Sequence, residues 1–303
     1  MPPLTLITGI DGSRESLDAA AWAAREAERR GLVLQLLQAG AAHHDARRAE
    51  HFPPAESRDT PDDEADGPLL ERAARQLTRA HPTLEIHTVR TPQPPVPALL
   101  DAAEPAEALV LGSRGFSAFA GFLVGSVALS VAARAGRPVI LVRAGELPQD
   151  EHLPGPDGTA GPHSPYRPVV LGIDLDRPSD DLLAYAFEAA AVRRAPLRVL
   201  HSWTLPPLRT YPPGVTLPPE ARELQEAKQQ TLAAVLQPWH NKFPDIQVME
   251  HVLYGRPAHH LIKAATGASL LTVGRTRAGT RLGGTAHSVV HHVTCPVAVV
   301  PHD

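Results

Sequence analysis

Cysteine is almost absent from these 303 residues, Cys295 being the only one. A single thiol excludes an intramolecular disulfide framework and any CxxC metal site. No leader is expected either. The chain starts Met-Pro-Pro-Leu-Thr-Leu-Ile-Thr, without a basic region, and reaches Asp11 early, so it does not read as a signal peptide. A cytoplasmic protein is the reading that fits. There is no excess of either charge: the formal net charge is -4 and the pI about 6.5. That balance gives no reason to expect nucleic acid or an anionic membrane as the partner. The three Trp are scattered and build no stacking platform for single strands. No Gly-Lys-Ser/Thr closes a Walker A loop, and Rossmann GxGxxG spacing, a Gly-x-Ser-x-Gly elbow and HExxH are all missing. One uncharged run, Gly115 to Ala133, approaches the ~20 residues of a membrane helix. Its three Gly and three Ser favour a loop followed by a buried helix face.

What is present is core material. Hydrophobic residues make up 43% and charged residues 20%, the balance of a folded protein, and the length suits about two domains. The chain also repeats itself. Leu6-Ile7-Thr8-Gly9-Ile10-Asp11 matches Val169-Val170-Leu171-Gly172-Ile173-Asp174, and an alanine-rich pattern at helical spacing follows each. Later apolar runs pair in the same order: Leu32–Leu37 with Leu197–His201, Leu84–Val89 with Ile246–Val252, Ala108–Gly112 with Ser269–Gly274, and Pro138–Val142 with Pro296–Val300. Each half therefore reads β-α-β-α-β-α-β-α-β. Continuously apolar strands alternating with helices imply a parallel sheet covered on both faces. Right-handed crossovers make a doubly wound open sheet the natural solution. Such sheets bind ligands at the carboxyl ends of their strands, where the order reverses.

The expected division is 1–147, a linker over 148–165 rich in Pro, Gly and acids, and 166–303. Two irregular stretches, Ala41 to Pro68 and Leu205 to Pro219, read as surface insertions.

The chemistry is expected after the fourth strand of the first half, in Gly112-x2-Gly115-x9-Gly125-Ser126. Gly112 would turn sharply as the strand ends. Gly115, lacking Cβ, would let an oxygen-rich ligand reach the backbone. Gly125-Ser126 would open a helix whose free N–H groups favour phosphate, with the Ser126 hydroxyl as a further donor. A glycine-rich connecting loop without ligand is the competing reading. Asp11, at the same carboxyl edge, suits ribose or base donors or a metal bound to phosphates, and equally suits an N-cap. Arg114 is a phosphate candidate or a solvated loop residue.

These residues resemble the universal stress protein family: Gly9-Ile10-Asp11-Gly12-Ser13, the spaced glycines ending in Ser126, and the closing Cys295-Pro296-Val297. Both halves match, as in a bacterial tandem member. The resemblance implies an α/β fold of two tandem doubly wound domains, each a five-stranded parallel sheet in order 3-2-1-4-5. It implies ATP or ADP binding, with or without Mg, and dimers through the last strand. In a tandem chain the two halves would form a pseudo-dimer, or the chain would pair as a homodimer. Carried over by position, Ile10 and Asp11 stand at the first strand's tip and Ala39 faces the adenine. Leu111, Gly112, Arg114, Gly115, Gly125, Ser126 and Val127 surround ribose and phosphates.

The second half departs from that pattern. Gly274 lies nine positions before Gly283, against thirteen from Gly112 to Gly125, with Arg277 in place of Gly115 and Gly284 in place of the Ser. Arg275, Arg277 and Arg281 are weak candidates for meeting an anion. In the first half Thr91-Pro92-Gln93-Pro94-Pro95 replaces the family's Gly-x-Pro-Ala turn, which Gly255-Arg256-Pro257-Ala258 retains. His287, His291 and His292, like His259-His260 and His43-His44, are polar surface or incomplete metal ligands. Cys295 reads as a buried, inert thiol.

The functional expectation is an ATP-binding stress-response regulator with an unidentified protein partner, little or no turnover and no catalytic residue. No arginine clamp, base or nucleophile is evident for fast phosphoryl transfer. A slow ATPase or nucleotidyl-transfer enzyme, and a nucleotide-free scaffold, are the alternatives.

Overall fold

The computed structural model describes residues 4–40, 68–113, 116–117, 121–122, 125–155, 158–161, 164–204 and 219–303. The chain forms two compact units, the main division falling between Glu146 and Leu147.

The first unit runs β1 (Thr5–Gly9), α1 (Arg14–Arg30), β2 (Val33–Ala39), α2 (Leu69–Ala80), β3 (Ile86–Thr91), α3 (Pro95–Ala103), β4 (Ala108–Ser113), α4 (Ser126–Ala132) and β5 (Val139–Arg143). These strands pair in parallel, β1 with β2 and β4, β2 with β3, and β4 with β5. The order is thus β3-β2-β1-β4-β5, and it reverses at β1. Every residue of β5 is buried, as are all of β4 but Gly112, so apolar runs without alternation mark strands covered on both faces. The edge strand β3 is exposed along its middle, which is why its sequence is polar: His87 meets Glu85 and Arg90 meets Glu71.

Helix α1 shows how local chemistry sets the frame. The Ser13 hydroxyl accepts from the Ser16 amide at 3.2 Å, and Gly31 ends the helix in the left-handed region, φ 66°. Ala19, Ala20, Ala23, Ala24 and Ala27 line its buried face, so the backbone lies close against β1, β4 and β5. Glu26 is buried there too, neutralised by Arg29 and by Arg30 at 2.6 Å. Such a carboxylate is tolerated because its charge-assisted bonds replace water.

The second unit repeats the plan with β6 (Val169–Gly172), α5 (Asp180–Arg193), β7 (Leu197–Trp203), α6 (Pro219–Lys242), β8 (Val248–Tyr254), α7 (Pro257–Ala265), β9 (Leu270–Thr276), α8 (Gly284–His292) and β10 (Val297–His302). Parallel pairing gives β8-β7-β6-β9-β10. Helix α5 is capped by Ser179 as α1 is by Ser13, but its left-handed C-terminal position, φ 48°, carries Arg194 where α1 has Gly31. A side chain in that region is disfavoured by about 1–2 kcal/mol, and glycine's greater unfolded-state freedom offsets about half of it. Arg194→Gly is therefore expected to stabilise the second unit by about 1 kcal/mol. A denaturant midpoint unchanged or lowered would refute this.

The expected exposed linker is partly folded. Pro148–Glu151 form a 3-10 turn, His152 bridges to Tyr166 with ring centroids 4.0 Å apart, and Glu151 and His152 are buried. The expected insertions lie outside the described residues over 41–67 and 205–218; Pro68 caps α2, and Pro219 begins α6. Among the described residues no helix is long and apolar enough to cross a membrane.

Candidate functional site

Where β1 ends, the chain turns through Ile10, Asp11 and Gly12 into α1. The Ile10 amide donates to the Leu37 carbonyl at 2.8 Å, which ties this tip to β2. Asp11 is not the N-cap; Ser13 is. The Asp11 carboxylate instead accepts from the Ser13 amide at 2.9 Å and the Ser13 hydroxyl at 2.5 Å, both on Oδ1. Crowding at the strand tip alone would raise the carboxyl, but the Ser13 bonds, with help from Ser16, outweigh it and hold the group below its ordinary 3.8. Asp11 is a carboxylate at neutral pH. Because its folded value is depressed, the stability those bonds give is present at neutral pH and is lost as pH falls below 3.8 through the folded value. Asp11→Asn is expected to flatten that part of the acid limb in thermal unfolding between pH 5 and pH 2; an unaltered limb would count against the bonding.

Around this tip opens a cavity of about 650 Å³. It sits at the carboxyl ends of β1, β2 and β4, where the strand order reverses, which is the place such sheets hold ligands. Ile10, Asp11, Ala39, Leu111, Gly112, Gly125, Ser126 and Val127 all line it. Arg114 and Gly115, the other two expected residues, lie outside the described residues. The remaining walls include Ser13, Glu15 and Ser16 from the start of α1, Leu37 from β2, and Pro95 and Leu99 from α3. Pro95 belongs to the Pro-rich turn that stands in for Gly-x-Pro-Ala, so that turn does reach the site. Ser13 entered the sequence reading only as the end of the Gly9–Ser13 motif, and Glu15 and Ser16 did not enter it. The signal was available, since a helix start directly after a strand tip must face the carboxyl edge.

Two glycines have different physical reasons. Gly112 does not turn the chain; it stays within β4, registered with Val142 of β5. A Cβ there would stand 2.4 Å from the Glu15 carbonyl oxygen and 2.8 Å from the Ser16 nitrogen. Glycine lets the first turn of α1 press against the sheet. Gly125 caps α4 at φ -59°, ψ 148°, and a Cβ there would meet no described residue within 4 Å. Among the described residues nothing requires glycine at 125, and this glycine lines the cavity.

Asp11 and Glu15 are the charged side chains among the described cavity walls. An anionic ligand would thus be held there by backbone N–H groups and hydroxyls. Among the described residues no cluster of three or more His, Cys, Asp or Glu is placed to hold a metal ion. His287 and His291 rings lie tilted with centroids 4.6 Å apart, and those of His259 and His260 lie 5.4 Å apart. His43 and His44 lie outside the described residues. Cys295 is buried.

In the second unit Asp174 keeps the strand-tip position and accepts from the Asp176 amide at 3.0 Å, but it lies five positions before the helix cap Ser179, where Asp11 lies two before Ser13. Arg277 is already engaged: its Nη1 lies 3.3 Å from Asp181 and 3.4 Å from Asp303. Arg275 is buried, with Nη1 donating to the Thr276 carbonyl at 3.3 Å. Both guanidinium groups thus have partners within the second unit.

The universal stress protein family matches this chain twice, over residues 5–143 and 165–301. A universal stress protein of Mycobacterium tuberculosis is 30% identical over 322 aligned residues, covering 99% of this chain and 96% of that protein. The crystal structure of a universal stress protein from Archaeoglobus fulgidus superposes with a TM-score of 0.61 at 16% identity, covering all of both chains. Another from that organism, solved in complex with dAMP, matches 45% of this chain and 98% of its own at 22% identity and a TM-score of 0.33. With two successive matches spanning nearly all its length, this chain belongs to the universal stress protein family as a tandem, two-repeat member.

Proposed function

We propose that the first unit binds an adenine nucleotide, ATP or ADP, in the cavity at the tips of β1, β2 and β4, and that the chain acts as a nucleotide-dependent regulator with little or no turnover. The observation that carries this reading is the convergence of Asp11, Ala39, Gly112, Gly125 and Ser126 on one cavity of about 650 Å³, within the usual range for small-ligand sites. In this reading the base lies toward Ala39 and Pro95, ribose hydroxyls donate to Asp11, and the phosphates lie along Gly125 and Ser126. A divalent cation escorting the phosphates would have Asp11 as its acidic neighbour. Family membership supports the reading, and the intact spacing from Gly112 to Ser126 gives the first unit the better claim.

The test is the nucleotide content of the purified protein and calorimetric titration with ATP, ADP and GTP, with and without Mg²⁺. One adenine nucleotide per chain, with GTP much weaker, is the expected result. No bound nucleotide and no heat with ATP would overturn the proposal. Phosphate release at enzymatic rates would replace the regulator with a slow ATPase. A partner would then be sought by comparing what the ATP-bound and stripped proteins retain.

A further inference from the structure

We propose that His201 is an acid-release latch in the second unit: its neutral imidazole ties β7 to the tip of β6 beneath α6, and its protonation loosens that corner of the domain. His201 lies on β7 and is only 4% exposed. Its Nδ1 stands 3.1 Å from the carbonyl of Ile173, the residue just after β6. A carbonyl accepts, so Nδ1 carries the proton and Nε2 is left as a bare lone pair. Among the described residues that Nε2, which is buried, has no hydrogen-bond partner. The neutral ring tolerates this at modest cost. An added proton would create a buried cationic N–H without an acceptor, which is a much larger penalty.

Among the described residues nothing nearby is placed to accept that proton. Trp203, two residues along the same strand face, offers a buried indole N–H that is itself unpartnered, and so a second donor. The charged groups facing His201 are Asp174 and Asp176 from the β6–α5 connection and Lys228 from α6. Lys228 repels an imidazolium. Asp176 is 3.8 Å from Lys228, and Asp174 accepts the Asp176 amide. Both carboxylates are exposed, so water weakens their pull on a buried ring. Burial, the largest influence, pushes the imidazole below its ordinary 6.5; the Ile173 carbonyl opposes it, and Lys228 adds to it. For a base whose folded value is depressed, stability is complete above the unfolded value and is lost as pH falls from 6.5 through the folded value. The latch therefore holds at neutral pH and releases in mild acid. Release means that the ring swings out, or that Asp176 leaves Lys228 to pair with it. The first loosens the bond between β7 and the β6 tip; the second frees the β6–α5 connection from Lys228 of α6.

The full chain tests this by hydrogen–deuterium exchange at pH 7.5 and 5.5, corrected for the intrinsic rates. In the wild type, peptides covering 169–176 and 219–232 are expected to lose about tenfold or more in protection relative to α1 in the first unit. His201→Asn keeps a donor for the Ile173 carbonyl but cannot titrate, and is expected to remove the difference. An equal loss in His201→Asn, or no loss in the wild type, would overturn the proposal. Should that variant fail to fold, Lys228→Met decides. Without the repelling cation, the His201 ring resonances in proton NMR should titrate at higher pH and the acid loss of protection should shrink. An unmoved midpoint refutes the latch.

Discussion

Gly112→Ala should be the most damaging small substitution in the first unit, lowering stability by roughly 3 kcal/mol and the first unit's unfolding midpoint by on the order of 10 °C. The added methyl would lie 2.4 Å from the Glu15 carbonyl oxygen and 2.5 Å from its carbon. Those are backbone atoms in the first turn of a 17-residue helix, so no rotamer change relieves the clash. The helix must lift from β4 or the strand must shift against β5. Either movement displaces Ser13 and Ser16, and with them the carboxylate of Asp11. Gly274→Ala is the control. It occupies the same place in the second unit, but its crowding neighbours are side-chain atoms of His302 and Leu182, which can move. Its loss should be much smaller. The measurement is thermal or denaturant unfolding of both variants. Equal midpoints for Gly112→Ala and wild type would show that α1 does not approach β4 as described.

That contrast also shows what the sequence made legible. The strands were readable because a parallel sheet covered on both faces demands continuous apolar runs, and Ala108–Gly112 and Pro138–Val142 supply them. Ile10 and Asp11 were readable as a strand tip because an acid ends each first run. The reason for Gly112 was not readable. A glycine at a strand end looks the same whether it turns the chain or admits a neighbour, and the neighbour, Glu15, is ninety-seven residues distant. The capping role was also ambiguous. Asp11 and Ser13 are both good caps, and only the placed hydroxyl of Ser13, donating to Asp11 while accepting from Ser16, separates their roles. Arg277 looked free to meet an anion because its partners, Asp181 and Asp303, come from a distant helix start and the end of the chain. The linker hid its order for a similar reason. Its Pro and Gly content predicts turns correctly, but the His152–Tyr166 contact is a tertiary event that composition does not encode.

Gly125→Val should leave folding almost untouched and remove nucleotide binding, the reverse of Gly112→Ala. Position 125 precedes α4 with a φ of -59° and a ψ of 148°, a conformation open to β-branched residues. An added Cβ has no described residue within 4 Å, so the unfolding midpoint should move by no more than the ~0.5 kcal/mol of an ordinary surface change. The two added methyl groups would instead enter the cavity beside Ser126, where the proposed phosphates lie against the backbone. Pushing an anion off one or two charge-assisted N–H bonds forfeits roughly 1.5–3 kcal/mol, which is about a tenfold to hundredfold loss of ATP affinity. Calorimetric titration beside an unfolding curve reads both quantities on the same sample. Weakened binding with an intact fold would place the phosphates at Gly125. Unchanged affinity would move them elsewhere in the cavity and leave this glycine without a function. Loss of fold would contradict the open space now seen beside it.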